Sequence, residues 1–139
     1  MLSAHDRQQV TTQLAAMVAP VTLHVYTQTF GCESCGDTLR LVKELSDLSP
    51  LVEVEEHNLV LDKDAAARDG VDRAPTVVLA STEQRRVRFQ GGPFGYEFTS
   101  LLQALVLVST GTSGLSEASR SLLAALREPV HVQVFSTPT

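Results

Sequence analysis

A chain of 139 residues is long enough for one domain with its own hydrophobic core. With 43% hydrophobic and 19% charged residues and a mean hydropathy near zero, the composition excludes a disordered chain and a membrane protein. The net charge is −5 and the eleven basic residues form no run, which argues against nucleic acid as a partner. Only Arg85, Arg86 and Arg88 cluster, on an expected strand, where the plain expectation is a solvated face. Met1 to Gln9 carries no apolar stretch, so no signal peptide is read and a cytoplasmic location without membrane attachment is expected. In a reducing compartment a cysteine pair is catalytic or metal-binding more often than structural. Both cysteines here, Cys32 and Cys35, fall within four residues.

In chain order, Ser3 with Asp6 three residues on reads as a capping box, and Val10, Leu14, Met17 and Val18 follow at helical spacing. This predicts a helix from Ser3 to Ala19, stopped by Pro20. Val21 to Thr27 alternates apolar and polar residues and is rich in β-branched and aromatic side chains, so a strand is expected there. Cys32-Glu33-Ser34-Cys35 follows at once. Leu39, Val42, Leu45 and Leu48 mark the inward stripe of a helix from about Cys35 to Asp47. Beyond Pro50, residues Leu51 to His57 form a second expected strand. Asp62 and Gly70 then read as the caps of a short helix over Ala65-Ala66-Ala67. Pro75 to Ala80 and Arg86 to Phe89 are the third and fourth expected strands, joined by a tight polar turn over residues 81–85, and Tyr96 to Val108 is a further helix. The order β-α-β-α-β-β-α, preceded by one helix, is that of the thioredoxin fold. A right-handed crossover makes the first two strands parallel, and the hairpin of the last two is antiparallel.

The remaining residues repeat the opening. Ser116 is placed to cap a helix from Glu117 to Arg127 with Leu122, Leu123 and Leu126 on one face, and Pro129 stops it. Val130 to Ser136 is an expected strand. Val132-Gln133-Val134-Phe135-Ser136 repeats the pattern of Leu23-His24-Val25-Tyr26-Thr27, and each follows a helix closed by proline. The expected organisation is one unit over residues 1–111 carrying the Cys-x-x-Cys. Residues 112–139 would then be a linker helix and the first strand of an incomplete second unit. Such a strand leaves backbone groups to be paired, so it is expected to join a sheet edge or to promote self-association.

The cysteine motif lies between a strand and an amphipathic helix, which puts Cys32 at a helix N-terminus. There the macrodipole and free N–H groups stabilise a thiolate. Cys32 is therefore the expected nucleophile and Cys35, one turn along, the resolving thiol. The charge of Glu33 is expected to oppose that thiolate. Half of a zinc site is the first competing reading. There is, however, no second cysteine pair, and His24, His57 and His131 lack His-x₃-His spacing. A vestigial inactive pair is the second. A purely structural disulfide is the third, and closing a four-residue loop constrains little of the unfolded chain. Ala74-Pro75 opens the third expected strand. In this fold a cis bond there leaves the Ala74 backbone free to pair with an extended substrate.

Phe30-Gly31-Cys32-Glu33-Ser34-Cys35, Gly70-Val71-Asp72-Arg73-Ala74-Pro75, Phe89-Gln90-Gly91, Gly95-Tyr96-Glu97-Phe98 and Val130 to Phe135 together resemble the N-terminal half of the protein disulfide oxidoreductases. These are glutaredoxin-like proteins of archaea and some bacteria, with two thioredoxin-fold units in tandem. The resemblance implies thiol–disulfide exchange with protein substrates and no further cofactor. It also implies electrons from a thioredoxin-reductase-type flavoenzyme, and a chain that stops just short of a second motif. The alternative it leaves is a substrate- or partner-docking unit of low intrinsic redox activity, since the second unit often carries most activity. Departures from relatives weaken other readings. The glutathione-binding acidic residue of glutaredoxins would fall near Gly95, and their lysine upstream of the motif is absent. Phe30-Gly31 stands where thioredoxins have tryptophan. The flavoprotein reductases of peroxiredoxins share a double N-terminal domain, but its first unit generally lacks the cysteine pair.

Overall fold

The computed structural model of the chain describes residues 2–136. Along it run α1 (Ala4–Leu14), β1 (Val21–Thr27), α2 (Cys35–Ser46), β2 (Val52–Asn58), α3 (Lys63–Asp69), β3 (Thr76–Ser81), β4 (Arg86–Gln90), α4 (Tyr96–Thr110) and α5 (Glu117–Ala124). The four strands form one mixed sheet in the order β2-β1-β3-β4. β1 runs parallel to β2, with Val21 opposite Val52, and antiparallel to β3, with Tyr26 opposite Thr76; β3 and β4 are antiparallel. The expected connectivity and strand directions are all present.

Alternation along the strands sorts side chains between the two faces. Val21, Leu23, Val25, Val77 and Leu79 point to one face, where Val10 and Leu14 of α1, Val42 and Leu45 of α2, and Leu101 and Leu105 of α4 close over them. Tyr26 and Val78 point to the other face, against Ala66 of α3 and Val71. α3 is the smaller cover and leaves part of that face polar.

Capping explains where the helices begin. The Ser3 side chain accepts from the Asp6 N–H and the Asp6 carboxylate accepts from the Ser3 N–H, so the capping box is formed. Asp62 does precede α3, but its carboxylate accepts the Asn58 N–H at 2.6 Å instead of capping the helix. Gly70 closes α3 at φ 64°, a left-handed conformation that a Cβ would disfavour.

The structure corrects four readings. α1 stops at Leu14, five residues before the expected end, because the Val18 and Ala19 N–H groups are drawn to the buried Ser109 Oγ at 2.9 Å each. Ser109 in turn donates to the Ala19 carbonyl, and Val18 is left exposed rather than on a helical stripe. α5 stops at Ala124, short of Arg127, and Leu122, Leu123 and Leu126 are exposed. Residues 130–136 form no strand: no neighbouring strand supplies a ladder, and β propensity without pairing does not hold an extended segment. Phe135 is 89% exposed there, and residues 137–139 of the expected second unit lie outside the described residues. Finally, the arginine cluster is not merely a solvated face. Arg86 donates to the Asp69 carboxylate at 2.6 Å, Arg88 to the Gly70 carbonyl, and Arg85 to the Val108 carbonyl at 2.9 Å.

Among the described residues, Asp69 is the buried charge. Its carboxylate accepts from the Tyr26 hydroxyl and from Arg86, each at 2.6 Å, with no solvent exposure of the side chain. Burial alone would raise its pKa, but the Tyr26 and Arg86 hydrogen bonds outweigh it and hold Asp69 below the ordinary carboxylate value. Burial, then the bond to Asp69, pushes the Tyr26 phenol well above its usual range. A depressed carboxylate contributes stability that is present above the unfolded pKa of ~3.9 and lost as pH falls through the folded value. Tyr26→Phe removes one of the donors that depress it. The variant is expected to lose about 1–3 kcal/mol in urea unfolding at neutral pH. Its acid-unfolding midpoint, followed by circular dichroism, is expected to move to higher pH.

Candidate active site

β1 delivers the chain to the cysteine loop at the C-terminal end of the central strand. Gln28 Nε2 donates to the Phe30 carbonyl at 2.8 Å, and Gly31 turns the backbone at φ 69°. α2 then begins at Cys35. Ser34 occupies the position before it with helical dihedrals and no side-chain cap. The Ser34 carbonyl accepts both the N–H and the Oγ1 hydroxyl of Thr38, at 2.9 and 2.8 Å. The first turn is therefore anchored from inside the helix, while nothing from a Ser34 side chain shields its N-terminus.

Cys32 and Cys35 are joined as a disulfide across the start of α2, with Cα atoms 5.4 Å apart. Their environments differ. Cys35 is 5% exposed within the helix, whereas Cys32 is half-buried just ahead of it. Glu33 is exposed between them. A partner thiolate reaching the pair from solvent meets Cys32 first, since displacement at sulfur requires in-line access.

The Ala74-Pro75 peptide bond is cis, as expected from the sequence. The opposition of Tyr26 and Thr76 puts the turn that enters β3 at the same end of the sheet as the loop that leaves β1. Pro75 is buried and its carbonyl accepts the Gly91 N–H at 2.8 Å; Thr76 Oγ1 holds the Arg73 carbonyl at 2.7 Å. Ala74 is part-exposed, and among the described residues its backbone makes no hydrogen bond. The topology thus places all four sequence-predicted residues, Cys32, Cys35, Ala74 and Pro75, at one end of the sheet.

Two clefts lie along the loop that leaves β1, and Cys35 lines one of them. One of about 280 Å³ is lined by Thr27, Gln28, Cys35, Gly36, Leu39 and Glu56. The other, about 310 Å³, lies among Thr29, Phe30, Asn58, Val60 and Leu61. Phe30, Val60 and Leu61 are exposed apolar side chains beside the cysteine loop. The sequence reading missed this rim; its signal was Val60-Leu61, two apolar residues stranded between the second strand and the Asp62 cap. A larger cleft of about 390 Å³ lies between α1 and α4, and neither cysteine lines it.

No protein-family model matches the chain, and no curated protein sequence does. Solved structures do. A protein disulfide oxidoreductase from Aeropyrum pernix superposes with a TM-score of 0.80 at 35% sequence identity, over 91% of this chain and 56% of that one. The N-terminal domain of the alkylhydroperoxide reductase AhpF from Enterococcus faecalis gives 0.80 at 22% identity, over 92% and 62%. Fasciola hepatica thioredoxin gives 0.55 at 21%, over 76% and 93%. The chain has the thioredoxin fold. Of these proteins, the one from Aeropyrum pernix is of the kind that the motifs suggested, and this chain spans little more than half of that protein's length. The sheet order and the Cys-x-x-Cys at the start of the helix after the central strand carry that assignment of fold.

The thioredoxin-fold loop needs its glycine. At Gly31 a Cβ would lie 3.6 Å from Gln28 Nε2, an ordinary contact, so the objection to a larger residue is conformational rather than steric. Gly31→Ala is expected to cost about 1–2 kcal/mol, the penalty of a left-handed non-glycine residue. Chemical denaturation of the oxidised protein measures it.

Proposed function

We propose that the chain is a thiol–disulfide exchange unit that passes two electrons between the Cys32–Cys35 pair and cysteine pairs of protein substrates. The observation that carries the reading is the asymmetric disulfide at the start of α2, accessible at Cys32 and buried at Cys35. In the reducing direction the Cys32 thiolate attacks a substrate disulfide. A Cys32–substrate S–S bond forms, and the other substrate sulfur leaves as a thiolate. The Cys35 thiolate then attacks Cys32 Sγ and displaces the second substrate thiolate. The substrate is reduced by two electrons and the Cys32–Cys35 disulfide is restored. Oxidation of a dithiol runs the same steps in reverse.

The helix N-terminus lowers the thiolate cost at Cys32 and makes it the better leaving group in return. Ala74 supplies unengaged backbone N–H and C=O groups for an extended segment of substrate, in the manner of strand addition. Phe30, Val60 and Leu61 provide exposed apolar area around the cleft beside the cysteine loop. The electron source that fits is a thioredoxin-reductase-type flavoenzyme, and the reading asks for no cofactor bound to this chain. A unit spanning residues 1–111, with α5 as a linker, is the organisation that accords with this role. Among the described residues no helix is long and apolar enough to cross a membrane.

The deciding experiment is trapping. Cys35→Ser is expected to accumulate a mixed disulfide with a protein substrate in non-reducing gels, and Cys32→Ser is expected to accumulate none. Trapping by Cys32→Ser alone would reverse the roles. Failure of the unsubstituted chain to turn over insulin with a dithiol donor would leave a docking unit of low redox activity. Glu33 is a smaller determinant. Glu33→Gln removes a negative charge next to the nucleophile and is expected to lower the Cys32 pKa, read from the ultraviolet absorbance of the thiolate. An unchanged or higher value would overturn this role for Glu33.

A further inference from the structure

The sheet face partly covered by α3 carries a second cluster of reactive side chains. The parallel register of β1 and β2 sets His24 opposite Glu55 and Tyr26 opposite His57. Alternation places His24, Tyr26, Glu55 and His57 on the same face. His24 Nδ1 lies 3.1 Å from His57 Nε2 and 3.2 Å from Glu55 Oε2, and His57 Nε2 lies 3.7 Å from that same oxygen. Two imidazole nitrogens and one carboxylate oxygen thus converge on a single point.

We infer that His24, Glu55 and His57 form a binding site for one divalent cation of the zinc class. The distances suit the ion. The three donor atoms define a triangle of circumradius about 1.9 Å, just inside the ~2.0–2.2 Å bond lengths of zinc to histidine nitrogen and carboxylate oxygen. A cation at such distances sits about 0.6 Å out of the donor plane, close to the displacement in a tetrahedral site with three protein ligands and one water. Nitrogen donors select late transition metals over magnesium or calcium, which take oxygen ligands. The set carries one formal negative charge against the two positive charges of the ion.

The site is held by rigid parts. The imidazoles stand on paired strands, His24 on central β1 and His57 on edge strand β2, with side chains only 14% and 15% exposed, while Glu55 is 59% exposed on the solvent side of the site. The Tyr26 ring lies against His57, centroids 4.8 Å apart, and Tyr26 is itself fixed by its bond to Asp69. The two imidazoles meet nitrogen to nitrogen, as one shared N–H···N hydrogen bond requires. A small rotation of each ring turns both lone pairs from one another to the common point. Binding then requires the ring that donates this bond to carry its proton on its other nitrogen, so that both facing nitrogens offer lone pairs to the metal. This donor set includes neither cysteine, so the inference is independent of the exchange chemistry.

The test uses the full chain with Cys32→Ser and Cys35→Ser, which removes thiolate ligands. Zinc alone is titrated in competition with a chromophoric chelator, and cobalt is used as a spectroscopic probe. One equivalent of zinc is expected to bind, and cobalt is expected to give the intense visible bands of four-coordination. Glu55→Gln, at an exposed position that does not threaten folding, is expected to weaken zinc binding at least about tenfold, and His57→Gln to abolish it. His5→Gln and His131→Gln are expected to change nothing. The inference is overturned if zinc binds equally well after Glu55→Gln and His57→Gln. It is overturned equally if zinc binding disappears with His5 or His131, or if the chain binds no zinc at submillimolar concentration.

Discussion

Everything in this molecule is arranged around β1 being hydrogen-bonded on both sides. β2 pairs with it in parallel and β3 in antiparallel, so the whole strand from Val21 to Thr27 is an interior element. Val21, Leu23 and Val25 are completely buried on the face covered by α1, α2 and α4. Tyr26 is completely buried on the opposite face, where its hydroxyl reaches Asp69. A strand fixed on four sides has no freedom at its end. The loop that leaves Thr27 therefore presents Cys32 and Cys35 at a defined place. The antiparallel neighbour brings Ala74-Pro75 to that same place without any contact specified by local sequence.

The mixed direction of the strands divides the molecule chemically. At one sheet end, chain reversal between β1 and α2 leaves sulfur at the start of a helix, where a developing thiolate is favoured by backbone dipoles. Exposed Phe30 precedes it in the loop, with exposed Val60 and Leu61 across a shared cleft, and the Ala74 backbone has no partner among the described residues. These features accord with the proposed exchange with a polypeptide substrate. On the sheet face, by contrast, one short helix covers what three helices cover on the other side. Polar residues of β1 and β2 consequently stand half-buried side by side, and His24 and His57 come within hydrogen-bonding distance across the strand pair.

Arg86 and Asp69 show how burial and charge are reconciled on that thinly covered face. A carboxylate with no solvent exposure is tolerated because it accepts two short hydrogen bonds, one of them from a guanidinium. The two donors come from different strands, β1 and β4, so the network ties the centre of the sheet to its edge through the end of α3. Arg88, bonded to the Gly70 carbonyl, secures the same helix end. The edge strand therefore does more than flank the sheet: it closes α3 down onto Tyr26.

Much of this was legible in the residues. Strand alternation in Val21 to Thr27, the Ser3–Asp6 capping box, the stripe through Val42 and Leu45, Gly70 at a helix end and the Cys-x-x-Cys between strand and helix are local patterns. Each is set by backbone geometry within a few residues, so sequence alone determined the order of elements, the fold and the position of the disulfide. What distant contacts decide could not be read that way. Ser109, some ninety residues away, ends α1 by drawing off the Val18 and Ala19 N–H groups. Val130 to Ser136 has the composition of a strand but no neighbour to pair with. Asp69 becomes a buried anchor, and His24, Glu55 and His57 become a cluster, only when strand register brings residues some thirty to forty positions apart into contact. Local patterns are enforced by the chain's own covalent geometry; charge pairing and edge pairing depend on which surfaces tertiary packing brings together.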